Sequence, residues 1–147
     1  GASGVYHKMI EDDLLKFQQN PFTMFASDSS IRKFNFGVPH PRGYGNAARV
    51  LSRYVREQGS IKLEEAVRRM TTLPARVFQL KNRGAIRIGH WADLVVFDPA
   101  QIGDQATFDK PHQYSTGFKY VFVNGRLVIE NDRHLGTRPG KTIRRNE

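Results

Sequence analysis

The sequence predicts an α/β chain that turns all-β in its second part, with the change of texture near Asn82. Three observations carry that reading. Apolar residues recur at helical spacing in three segments before residue 82, a short aromatic run from Phe22 to Asp28 follows the first of them directly, and after residue 82 two strand-like runs flank Asn124-Gly125.

Taken in order, residues 1–4, Gly-Ala-Ser-Gly, have neither the basic nor the apolar part of a signal peptide and read as an expression scar. The segment after them sets Tyr6, Met9, Ile10, Leu14 and Phe17 on one helical stripe, which Pro21 closes. "FTMFASD" is then short, apolar and aromatic, as expected of a buried strand in a parallel α/β unit. Chemistry in such units collects at the carboxyl ends of strands, and Asp28 stands at that end. A loop rich in Gly and Pro follows, carrying His40, Arg42 and Tyr44. A second helix is expected from about Asn46, as cap, with Ala47, Val50, Leu51, Tyr54 and Val55 on one face and Gly59 as its stop.

A third helix, "KLEEAVRRM", has Leu63, Ala66, Val67 and Met70 as its apolar stripe, and pairs Glu64 with Arg68 and Glu65 with Arg69 at i,i+4 spacing. "ARVFQL" after Pro74 reads as one more short helical piece. Beyond the boundary, "AIRIGHWADLVVFDP" is β-branched and apolar, interrupted by Gly89 and ended by Pro99. "YVFVNGRLVIEND" forms a hairpin, because Asn-Gly supplies the positive φ that a two-residue type I′ turn requires. Residues 100–117 between them read as a long irregular loop.

Composition bounds the class. Hydrophobic residues at 39% and charged residues at 25% exclude a disordered or fibrous chain, and no apolar run approaches the ~20 residues a membrane-crossing helix needs. Cysteine is absent, so neither disulfides nor thiolate chemistry is available; a reducing, cytoplasmic location is the expectation. Against 14 acidic residues stand 23 basic ones, a net charge of +9, but the only dense basic group is Lys141, Arg144 and Arg145 near the end, and no nucleic-acid-binding module accompanies it. A solvated basic surface is expected, with neither nucleic acid nor membrane as partner.

Local chemistry leaves alternatives open. The five histidines, His7, His40, His90, His112 and His134, show neither an H-x-H pair nor an i,i+4 pair, so no complete metal site can be read. Ser27, His40 and Asp28 make a triad on paper only, since no glycine-flanked nucleophile elbow is present. Asp28, followed by Ser29 and Ser30, could simply cap a turn; His40 between two prolines could be a stiff loop residue, and Arg42 a surface charge. Trp91 and Asp93 read as packing and turn residues.

The order of the segments, however, is specific. "SDSS", "HPRGYGNAARVLSRYVREQG", "LEEAVRRMTTLPARVFQL", "RGAIRIGHWADLVVFDP" and "YVFVNGRLVIENDRHLGTRPGK" together resemble the carboxyl-terminal part of the amidohydrolase superfamily, and within it the N-acyl-D-amino-acid deacylases, or D-aminoacylases. The resemblance covers nearly the whole chain after residue 4. It implies that residues 5–81 are the terminal part of a (β/α)₈ metal-dependent hydrolase barrel and residues 82–147 the carboxyl-terminal strands of a small β-sandwich.

By the same resemblance Asp28 ends the last barrel strand, binding or facing a zinc ion and serving as general base and then acid. A carboxylate suits that role because it can take a proton from an activated water and return it to the leaving amine. His40, Arg42 and Tyr44 fall on the "HPR-x-YG" motif and are implied at the substrate-binding rim. The implied substrate is a small N-acyl amino acid and the implied cofactor Zn²⁺.

Two departures qualify this. Ser27-Asp28-Ser29 stands where the deacylases usually have Ser-Asp-Gly, which bears on the subfamily. The family's early H-x-H pair and later histidines have no counterparts here. The chain is thus expected to be a fragment, inactive alone and not holding zinc tightly, completed by a complementary amino-terminal barrel segment or by self-association. The alternative is a non-catalytic binding module that keeps the scaffold.

Overall fold

A computed structural model describes residues 9–31 and 33–145 of the chain. Residues 1–4, expected as an expression scar, and Tyr6 and His7 of the first expected helix lie outside them. Helix α1 spans Glu11–Gln19, α2 Arg42–Arg49, α3 Leu63–Met70 and α4 Thr72–Val77, and the sheet is formed by β1 Leu94–Phe97, β2 Phe118–Val123, β3 Arg126–Glu130 and β4 Arg133–His134. Helices therefore come first and strands second, with the change between Val77 and Leu94.

The second helix starts earlier than the sequence predicts. Pro41 (φ −52°, ψ −31°) already has helical dihedrals, so the "HPR-x-YG" motif, expected as loop, is the first turn of α2. The helix then runs on as a π-helix over Val50–Glu57, closed by the Gln58 amide on the Arg53 carbonyl at 2.9 Å. It stops at Gly59 (φ +60°), after which the Ser60 amide returns to the Tyr54 carbonyl, as the expected glycine stop requires.

Its inward face builds the core: Ala48, Val50, Leu51 and Tyr54 meet Ile61, Ala66 of α3 and Ile102, with Leu14, Leu15, Phe25, Phe97 and Phe118 packed around them. Ile102 is completely buried although it belongs to the irregular 100–117 segment. Gly117 (φ +89°) permits this, because a Cβ there would stand 2.5 Å from the Ile102 backbone.

Two expectations are corrected. The run Phe22–Asp28 forms no strand: among the described residues it pairs with nothing, since the single sheet is antiparallel in the order β1-β2-β3-β4 and lies elsewhere. A strand is defined by its ladder partner, and aromatic composition cannot supply one. Of the stripe expected for the first helix, Met9, Ile10 and Phe17 are exposed rather than in the core, and Met9 and Ile10 precede the first turn of α1. The hairpin is as predicted, with Asn124 at φ +49° and Gly125 at φ +77° between β2 and β3. Of the two i,i+4 pairs expected in α3, Glu65 with Arg69 forms at 2.7 Å; Arg68 turns to Glu65 as well, at 2.7 Å.

Candidate active site

The segment that delivers Asp28 is fixed at its start by α3. Arg69, buried, donates to the Gln18 carbonyl and to Thr23 Oγ1, while Arg68 Nη2 donates to the Pro21 carbonyl at 2.7 Å. Glu65 holds both guanidiniums, and they hold its carboxyl down to a pKa of about 2, Arg68 contributing most. Phe25 then anchors the segment on the core. Three residues later the chain reaches Asp28 in a left-handed conformation, φ +47°.

Asp28 is 90% exposed and its carboxylate accepts from Arg42 Nη2 at 2.9 Å; the same nitrogen donates to the Asp28 carbonyl at 2.8 Å. No backbone amide is capped by the carboxylate among the described residues, so the turn-capping alternative has no bond to rest on. Arg42 projects from the first turn of α2, where its own amide donates to His40 Nδ1 at 3.1 Å. His40 thereby does the work of an N-cap and packs edge-on to Phe108, at 5.0 Å between ring centroids.

Beside the Asp28–Arg42 pair lies a cleft of about 360 Å³, with Ser27, Ser29, Ser30 and Ile31 on one wall and Gly43, Tyr44 and Tyr114 on the other. A Cβ on Gly43 would stand 2.6 Å from Ser29 Oγ, so glycine lets the two walls approach. The fold thus brings Asp28, Arg42 and Tyr44 to one cleft and its rim, and sets His40 beneath α2. It adds two residues with no motif to announce them: Tyr114 on the wall, and His112, whose Nδ1 is 2.9 Å from the Tyr44 hydroxyl across 68 residues of sequence. Only the contact itself reveals His112; its surroundings, "KPHQY", have no distinctive spacing.

The donor set does not by itself make a zinc site. Zinc takes three or four ligands, and no group of three His, Cys, Asp or Glu side chains converges among the described residues. Around Asp28 stand serine hydroxyls and a guanidinium.

The Amidohydrolase family matches residues 19–129. The N-acyl-D-glutamate deacylase of Alcaligenes xylosoxydans xylosoxydans is 43% identical over 145 residues, 99% of this chain and 29% of that protein. A crystal structure of D-aminoacylase, described as defining a novel subset of amidohydrolases, superposes with a TM-score of 0.85 at 40% identity over 93% of this chain and 28% of that one. The N-acyl-D-glutamate deacylase of Bordetella bronchiseptica, in complex with zinc and a phosphonate mimic of the tetrahedral intermediate, gives 0.75 at 48% identity over 82% and 25%. The chain spans under a third of the length of each.

Proposed function

The chain belongs to the amidohydrolase family, and on that premise we propose that it forms part of a metal-dependent hydrolase that removes the acyl group from N-acyl-D-amino acids. The observation that carries this is the Asp28–Arg42 pair at the rim of an open cleft, inside a segment similar throughout to the deacylases. Residues 5–81 then belong to the barrel and residues 82–147 to the sandwich. The rest of the barrel comes from a complementary segment or from self-association.

In this reading Asp28 carries the proton. Its carboxylate takes one proton from the attacking water and gives it to the amide nitrogen as the C–N bond breaks. Asp28 sits between two residues that line the cleft, Ser27 and Ser29, and its carboxylate is exposed and bonded to Arg42. Arg42 orients it and offers a cationic fork to the substrate carboxylate. Tyr44 lines the cleft wall and His40 sets the first turn of α2. The metal is zinc in this reading, and Asp28 is the ligand this chain would contribute.

The test is turnover by the natural gene product containing this sequence, measured on N-acetyl derivatives of D- and L-amino acids with and without prior chelation. Release of free D-amino acid that chelation abolishes and zinc restores is the expected result. A folded, zinc-supplemented protein that cleaves none of them would leave the scaffold without the chemistry.

A further inference from the structure

We propose that His112 couples occupancy of the cleft to the position of the rim segment Phe34–Gly37, by sharing one acceptor between two donors. The inference rests on the reading of the cleft as a substrate site. His112 Nδ1 receives the Asn35 amide at 3.2 Å and lies 2.9 Å from the Tyr44 hydroxyl; Nε2 lies 2.8 Å from the Gly37 carbonyl.

The protonation pattern follows from the backbone. An amide can only donate, so Nδ1 is the acceptor. A carbonyl can only accept, so Nε2 carries the hydrogen. Tyr44 must then donate as well, and the single lone pair of Nδ1 serves two donors. Phe34 reinforces the arrangement, stacked on Tyr114 at 5.0 Å and edge-on to His112 at 5.8 Å.

Two donors share the one lone pair of Nδ1, so the nitrogen keeps a partner when either of them leaves. The Tyr44 hydroxyl is therefore a releasable donor. Tyr44 lines the cleft, so an anionic group arriving there can take its hydrogen bond while Nδ1 keeps the Asn35 amide. Nδ1 then passes wholly to Asn35, and the rim segment, held at Asn35 and at Gly37, is drawn onto His112. In this scheme His112 is a positioning residue: it acts through Tyr44 and the rim.

The experiment follows the Asn35 amide by NMR hydrogen exchange in the full-length natural protein, free and with N-acetyl-D-glutamate. His112→Gln keeps a donor toward Gly37 and lacks the ring acceptor; His112→Asn keeps an acceptor near the position of Nδ1. Without ligand, Asn35 exchange is expected to speed up at least about fivefold in the Gln variant and much less in the Asn variant. With ligand, exchange slows in the unmodified protein and not in the Gln variant, whose KM rises at least about fivefold while kcat falls by less. Unchanged Asn35 exchange in the free Gln variant would overturn the latch. A latch present without any ligand effect, in a protein that turns the compound over, would overturn the coupling. An unmodified protein with the latch but no binding or turnover overturns the substrate reading instead, and with it the role given to the cleft.

Discussion

The side chain of Asp28 is nearly fully exposed and its carboxylate is bonded to Arg42, so its replacement separates chemistry from stability. Asp28→Asn in the complete enzyme is expected to lower kcat by ~10² to 10⁴, the usual worth of general acid–base catalysis, and to leave the melting temperature nearly unchanged. An amide can stay near Arg42 but cannot accept the proton. Turnover within about threefold of the unmodified enzyme would mean that Asp28 is not the base. Arg42→Gln breaks the same pair from the other side; an exposed pair contributes about 0 to 1 kcal/mol, so the loss is expected in KM rather than in melting temperature. Asp28, Arg42 and Tyr44 were legible in the sequence because they sit on short motifs. His112 was not, because its meaning lies in a contact with Tyr44 and the rim that no local spacing encodes.

At the scale of elements, periodicity identified α3 and the Asn124-Gly125 turn identified the hairpin, since both are determined by neighbours in sequence. The run Phe22–Asp28 forms no strand among the described residues for the opposite reason: a strand exists only with a ladder partner, and here Phe25 alone hangs an unpaired segment on the core. What holds that segment is the fork of Glu65, Arg68 and Arg69, and it predicts a pH dependence. The Glu65 pKa is about 2 against an ordinary value of 4.5, lowered first by the Arg68 hydrogen bond and then by that of Arg69. A depressed carboxyl pKa stabilises the fold fully above the unfolded value and loses that contribution as protons bind. Stability should therefore fall as pH drops from about 4.5 toward 2, and Glu65→Gln should flatten the curve in that window while lowering stability at neutral pH. Thermal melts of both proteins across pH 2 to 7 give the answer; parallel curves would show that Glu65 does not carry the dependence.

For the whole molecule the main fact is how much apolar surface faces water. Ile31, Ile86 and Ile88 are 104%, 89% and 106% exposed, and on β1 both Val95 and Val96 are exposed although they point to opposite faces of the sheet. Strands bury alternate residues on a packed layer, so at Val95 and Val96 neither face of the sheet is covered among the described residues, although Phe97 and Phe118 reach the core. The chain is similar to relatives more than three times its length, in which the matching surface is one part of a larger fold. Apolar surface of this kind drives association. This chain, purified as it stands, is accordingly expected to be dimeric or larger, with light scattering giving a mass that rises with concentration. Ile86→Lys with Ile88→Lys should shift it toward monomer with little change in melting temperature, because neither side chain contributes to the core. A monomer across a hundredfold range of concentration, melting cooperatively, would refute the expectation and show that the core around Ala48, Tyr54, Ala66 and Ile102 is sufficient by itself.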